Sequence, residues 1–208
     1  MPSREPKSSR PYHHGDLPAA LLSAAEEILE RDGIQGLTLR ATARAVGVSH
    51  AAPAGHFGDL TSLLSELAAL GYRRFGVALM EAVDAAGGNP RVRMKAMGRA
   101  YVGFARKHPG LFALMYRSER LDFARPALRD AIANARGALR AAASARAPAE
   151  PLTPLQMAAQ STALWALVHG FAVLLIDGRL SGLIASLPEE ESADTLLEAV
   201  LATARVGE

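Results

Sequence analysis

The sequence predicts an all-α protein in two parts: a three-helix head at the amino end and a larger helical bundle behind it. Three observations predict this. Apolar residues recur at helical spacing along most of the chain, no stretch has the alternating β-branched pattern of a strand pair, and stop signals fall between the periodic segments. With 208 residues and 50% hydrophobic content, the chain can bury a sizeable core in one or two domains.

Residues 1–13 are polar and Pro/Ser-rich with no apolar h-region, and are expected to be a mobile arm and not a signal peptide. The first helix runs from Asp16 to Arg31. Leu17, Leu21, Ala25 and Ile28 share one face, Asp16 caps it, Pro18 suits its first turn and Gly33 stops it. The next segment, Leu37 to Phe57 (LTLRATARAVGVSHAAPAGHF), reads as two short helices across a tight turn. Thr38 caps the first, Leu39, Ala43 and Val46 form its apolar face, Gly47 breaks it, and Ser49 is expected to cap the second. Helices this short need a third behind them, which completes a helix-turn-helix unit. Pro53, Ala54 and Gly55 weaken the second helix, since proline lacks a donor and glycine costs about 1 kcal/mol relative to alanine. It is expected to be short, or mobile until DNA orders it.

A long helix follows, marked by Leu60, Leu63, Leu67, Leu70, Phe75, Leu79 and Val83 and ended by Gly87 to Pro90. Met94, Met97, Tyr101, Phe104 and His108 mark the next, which ends at the HPG of His108 to Gly110. A short apolar helix from Leu111 to Tyr116 comes after it. Phe123, Ala127, Ile132, Ala135 and Leu139 mark another, terminated by the Ala/Pro-rich linker from Ala147 to Pro154. Thr153 and Pro154 open a helix to Asp177 that is apolar almost all round in its second half, so more than one surface must cover it. Its apolar run, Ala163 to Ile176, is shorter than the roughly 20 residues that span a bilayer, and is expected to be buried. A loop at Gly178 to Leu187 leads to the last helix, with Pro188 and Glu189 to Glu191 in its first turn and Leu196, Leu197, Val200 and Leu201 as its stripe. About nine helices result, divided into an arm (1–13), a helix-turn-helix domain (14–60) and a body (61–208).

Composition excludes several chemistries. With no cysteine, disulfides and thiolate metal sites are impossible, which fits a reducing cytoplasm. There is no Gly-rich phosphate loop and no HExxH, the six histidines are scattered, and carboxylates concentrate at Glu189 to Asp194, so neither catalysis, a cofactor nor a metal is expected. Charge is uneven. Residues 1–76 carry eight Lys/Arg and eight Asp/Glu, residues 87–150 thirteen against four, and residues 151–208 two against seven. The head is therefore neutral, which predicts a shallow salt dependence of any DNA binding.

The three-helix unit, with Phe57, Gly58, Asp59, Leu63 and Leu64 after it, resembles the DNA-binding domain of the TetR family of bacterial repressors. YHHGDL at Tyr12 to Leu17 and WALVHG at Trp165 to Gly170 are similar to a subgroup whose C-terminal domain is named for that Trp, His and Gly. The resemblance implies a homodimer through about 154–177 and 188–206, a palindromic double-stranded DNA operator, and repression released by a small-molecule effector. It also implies two departures: Ala54 stands where the family usually has a phosphate-binding tyrosine, and Leu60 where it has a lysine. These, with the neutral head, keep open an alternative, a ligand-binding or protein-interaction module that has lost tight DNA binding.

Candidate DNA-contacting residues are Thr38, Arg40, Arg44, Ser49, His50, Ala51, Ala52 and His56. Thr38 and Ser49 can bond phosphates at helix N-termini, His50 can meet a base edge, and Ala51 and Ala52 can touch thymine methyls. His56 suits packing or phosphate contact better than base reading. Candidate ligand residues are the aromatic and thioether side chains Phe104, Phe112, Met115, Tyr116 and Trp165, with His108 and His169 as polar handles. The same residues make ordinary helical cores. Trp165 and His169 lie one turn apart and share a face.

Overall fold

Glycines stand at the carboxy ends of the helices in the head. The computed structural model describes residues 17–144 and 153–203. The arm, the motif residues Tyr12 to Asp16 with the expected cap, and most of the 147–154 linker lie outside the described residues.

Helix α1 (Leu17–Gly36) buries Leu21, Ala24, Ala25, Ile28 and Leu29. Gly33, with φ at 69° and ψ at −177°, breaks the helical run as expected, and one further turn forms beyond it up to Gly36. Helix α2 (Leu39–Val46) starts as expected at Thr38, whose Oγ1 accepts from the Ala41 amide at 3.0 Å. It ends at Gly47 in the left-handed conformation, φ 77°.

Helix α3 (Ala52–Phe57) corrects two expectations. Ser49 does not cap it: Ser49 sits in the preceding turn, where its carbonyl accepts from the Ala52 amide, and Ala51 occupies the cap position without a side-chain bond. Pro53 does not weaken it either. The proline falls in the first turn, where its missing amide would have had no helical acceptor, and it is buried. The helix is short, as expected, because Gly58 (φ 84°) closes it after six residues.

Helix α4 (Leu60–Ala85), capped by Asp59 on the Ser62 amide at 2.7 Å, is the spine of the molecule. It packs against α1 and α3 in the head, and against α5 (Pro90–Lys107), α6 (Pro109–Met115) and α7 (Pro126–Ser144) in the body. A single 3₁₀ turn at Ser118–Arg120 precedes α7, and Phe123, expected on that helix, lies in the loop before it and is 45% exposed, since α7 begins only at Pro126. One hydrophobic cluster runs from Leu21, Ile28 and Leu37 through Leu67 and Phe75 to Tyr101, Phe112 and Phe171.

Helix α8 (Pro154–Ile176) opens on a complete capping box between Thr153 and Gln156. It is long and apolar enough to cross a membrane by length and composition, yet only 17% of its most apolar window is buried. The expectation of a buried helix therefore fails within one chain: Val168, Phe171 and Ala172 are buried, while Leu155, Met157, Trp165 and Leu174 are exposed. The 178–187 segment, expected as a loop, contains a short helix, α9 (Ser181–Ala185). Helix α10 (Ala193–Thr203) begins later than expected: Pro188 to Glu191 form a turn ahead of it, and Ser192 and Thr195 bond reciprocally across its start. The basic α5 and acidic α10 are paired through Arg99 with Glu198 and Arg106 with Asp194.

Candidate functional site

The candidate DNA-contacting residues lie at the surface of the head. Thr38, Arg40, Arg44, Ser49, His50, Ala51 and His56 are all exposed and Ala52 is half-buried, while Pro53 and Phe57 point inward and fix α3 to the head. Arg44 lies in the last turn of α2, ahead of the Gly47 turn. Ala54 is exposed on α3, and Leu60 is half-buried against the core, so neither offers a phosphate ligand.

The body encloses a cavity of about 430 Å³ walled by α4, α5, α7 and α8, with Met115 and Tyr116 from the end of α6 and Leu201 from α10. That volume lies within the range of small-molecule pockets. Three methionines, Met94, Met97 and Met115, line it together with Tyr72, Phe75, Tyr101 and Trp165. Unbranched thioethers adapt to an irregular apolar guest. Two glycines bring the helices close enough to shape it. A Cβ at Gly98 would meet Leu201 at 2.7 Å, and one at Gly71 would meet the Met115 sulfur at 2.9 Å.

Tyr101 is the polar hub. Its hydroxyl receives the Trp165 Nε1–H at 3.2 Å and lies 2.9 Å from the Tyr116 hydroxyl and 3.0 Å from His169 Nδ1. Burial lowers the His169 pKa, favouring the neutral ring. A phenol accepts two hydrogen bonds and donates one. The consistent assignment is that Trp165 and Tyr116 donate to the Tyr101 oxygen and Tyr101 donates to His169 Nδ1, which leaves the imidazole proton on Nε2. Burial pushes the Tyr101 phenol up to about 12 and raises Tyr72 and Tyr116 as well, so all three are neutral near pH 7.

Of the seven candidate ligand residues, Met115, Tyr116 and Trp165 line the cavity. The other four do not. Phe104 packs on Phe75 and His108, Phe112 stacks behind Tyr101 and Tyr116, and His169 acts one step removed through Tyr101. His108 belongs to the junction with the head, 3.9 Å from Glu26. The wall residues Met94, Met97 and Tyr101 were visible in the sequence as one helical face. Arg136 and Ser161 carried no signal, being ordinary polar residues until their helices are placed.

The junction is built around α6. Its cap residue His108 contributes no side-chain bond and Pro109 has no amide, so the open donors of the first turn are Gly110 and Leu111. Both donate to one carboxylate on α1: Gly110 N to Glu30 Oε2 at 2.8 Å and Leu111 N to Glu30 Oε1 at 2.9 Å. Glu26, a turn earlier, pairs with Arg74 of α4 at 2.5 Å. The head thus caps the helix whose far end lines the cavity.

A helix-turn-helix head joined to a helical body with an apolar cavity defines a class, the one-component transcriptional regulators. A family model described as "Tetracyclin repressor-like, C-terminal domain" matches residues 94–200, just over half of the chain. A protein of unknown function from Rhodococcus sp. RHA1 is similar over 94% of this chain and 97% of its own, at 35% identity and TM-score 0.77. The TetR family regulator PfmR from Thermus thermophilus shares the fold at 17% identity and TM-score 0.62, over 88% of this chain and 96% of its own. A TetR-like regulator from Rhodococcus sp. RHA1 does so at 18% identity and TM-score 0.58, over 90% and 92%. No curated protein sequence matches. The chain belongs to the TetR family of transcriptional regulators.

Proposed function

We propose that this protein is a ligand-released repressor that binds palindromic operator DNA as a homodimer in the cytoplasm. The observation that carries this reading is the path from cavity to head: Met115 and Tyr116 meet the cavity at one end of α6, and Glu30 of the head holds the other. A ligand that fits one placement of α6 better than another shifts the head by the difference in affinity, typically about 1 to 3 kcal/mol of coupling.

The exposed apolar residues of α8 support dimerisation. Leu155 is 78% exposed, and Met157, Leu174 and, on α9, Leu183 are exposed as well. A second copy related by a twofold axis would cover it and set two recognition helices against half-sites about one DNA turn, roughly 34 Å, apart. On the head, Arg40, Arg44 and Thr38 contact phosphates, His50 and Ala51 reach base edges, and Ser49 serves through its exposed position in the turn.

The neutral head and the exposed Ala54 favour a second reading, a ligand-binding or partner-binding module without tight DNA affinity. A mobility-shift titration against DNA flanking its own gene, at two salt concentrations with unrelated competitor, separates them. Specific binding that weakens modestly with salt supports the repressor; no binding at low salt refutes it and favours the module.

A further inference from the structure

The cavity is mostly apolar, and charge enters it at one place among the described lining residues. Ile132, Ala135, Arg136 and Leu139 of α7 all line it, and their spacing of i, i+3, i+4 and i+7 puts them on a single helical face. Arg136 is therefore on the cavity side of α7, and it is the one charged residue among the described lining residues. No carboxylate pairs with it among the described residues, whereas Arg125 is bound to Glu66 and Ser62, and Arg129 sits beside Asp130. Its charge favours the ionised forms of Tyr72 and Tyr116, against the burial that raises both.

The other polar liners offer a guest little. The hydroxyl protons of Tyr101 and Tyr116 and the Trp165 N–H are consumed within the hub, and the Tyr72 hydroxyl donates to the Met115 carbonyl at 2.7 Å. Ser161 and Thr162, on the α8 wall, make no side-chain hydrogen bond among the described residues. The donors open to a ligand are thus one guanidinium and two hydroxyls, and there is no acidic group among the described lining residues to receive a cation.

We infer that the cavity takes an apolar carboxylate, a hydrocarbon or aryl acid whose tail lies among the methionines and whose anionic group meets Arg136. This rests on the reading of the cavity as an effector site. A planar guanidinium binds a carboxylate in a two-point fork, while a neutral or cationic head group of equal chain length gains nothing there. Arg136 is exposed at the cavity rim, so water screens the pair, and the preference is about tenfold and not a thousandfold.

The chain contains one tryptophan, and it lines the cavity, so its emission reads occupancy directly. Titrating the full chain with octanoate, 1-octanol and octylamine compares three head groups on one tail. The expected result is a saturable change in Trp165 emission, about tenfold tighter for octanoate than for octanol and weakest for octylamine. Arg136→Met, which keeps an apolar stem, is expected to erase the octanoate preference, bringing octanoate to the affinity of octanol; Arg136→Lys is expected to keep part of it. A melting curve on each variant establishes that it is folded. Equal binding of octanol and octanoate, or an octanoate preference that survives in R136M, overturns the inference while leaving the effector cavity standing. Silence toward all three probes overturns both.

Discussion

Replacing Glu30 with alanine removes the side-chain cap of α6. In the native chain its carboxylate accepts two backbone amides at 2.8 and 2.9 Å, and both donors belong to a helix whose first residue is proline and whose cap side chain is unengaged. Loss of a helix cap costs about 0.5 to 2 kcal/mol, and hydrogen bonds to a charged group contribute about 1.5 to 3 kcal/mol each. Glu30 is half-buried, so water can reach part of the vacated site and offsets some of that loss. The expected destabilisation is therefore about 2 to 3 kcal/mol, equivalent to roughly 5 to 10 °C in Tm for a chain of this size. Glu30→Gln keeps one acceptor but turns its NH₂ toward the other amide, and should fall in between. Circular dichroism melting of the three proteins at one concentration measures this. A Glu30→Ala shift below about 2 °C would show that α6 does not depend on the head for its N-terminus, and would remove the proposed path from cavity to DNA.

Three further outcomes are expected. Gly110→Ala places a Cβ at 2.8 Å from the Leu29 carbonyl oxygen, a backbone atom that cannot rotate away, and should destabilise by about 1 to 3 kcal/mol in a denaturant titration. Gly55→Ala has open space and lies within α3, so it should stabilise by about 0.5 to 1 kcal/mol, and its effect on operator affinity can be measured in the same mobility shift. In alkali, Tyr101 ionises only near pH 12 against an ordinary value of 10.0, so its contribution to stability is full below pH 10 and is lost as pH rises through 12. A phenolate absorbance titration in which all tyrosines ionise together near pH 10 would contradict the buried hub.

The long helices were legible because a 3.6-residue period survives any tertiary arrangement, whereas the five residues of α9 are too few to show one. Thr38 and Thr153 cap where polar residues precede periodic runs, and α4 runs almost to the glycines that end it. The misplacements share one cause. At Ser49, Phe123 and Pro188 the local signal marks the turn ahead of a helix, and each helix begins three to five residues later. At Gly33 the break falls where the sequence places it, with one extra turn beyond. The cavity was half legible: its aromatic wall shows in composition, but Arg136 becomes a cavity residue only once α7 is laid along α4. Glu30, 80 positions from Gly110, gave no sign of its role in sequence.

His108 ends α5 and begins α6 at the same residue, with φ at −133° and ψ at 60°, values belonging to neither helix. Lys107 and Pro109 on either side are helical, and the proline ring fixes its own φ. The corner between the two helices therefore has essentially two free torsions, both in one residue. Any swing of α6 relative to α5 is a rotation about that point, so a displacement at the cavity end of α6 reaches the Glu30 end as a change of tilt and not as a slide along its axis. A corner with so few degrees of freedom restricts how α6 can move against α5, and His108, exposed by only about a fifth of its side chain, lies at the pivot between Phe104 and Glu26.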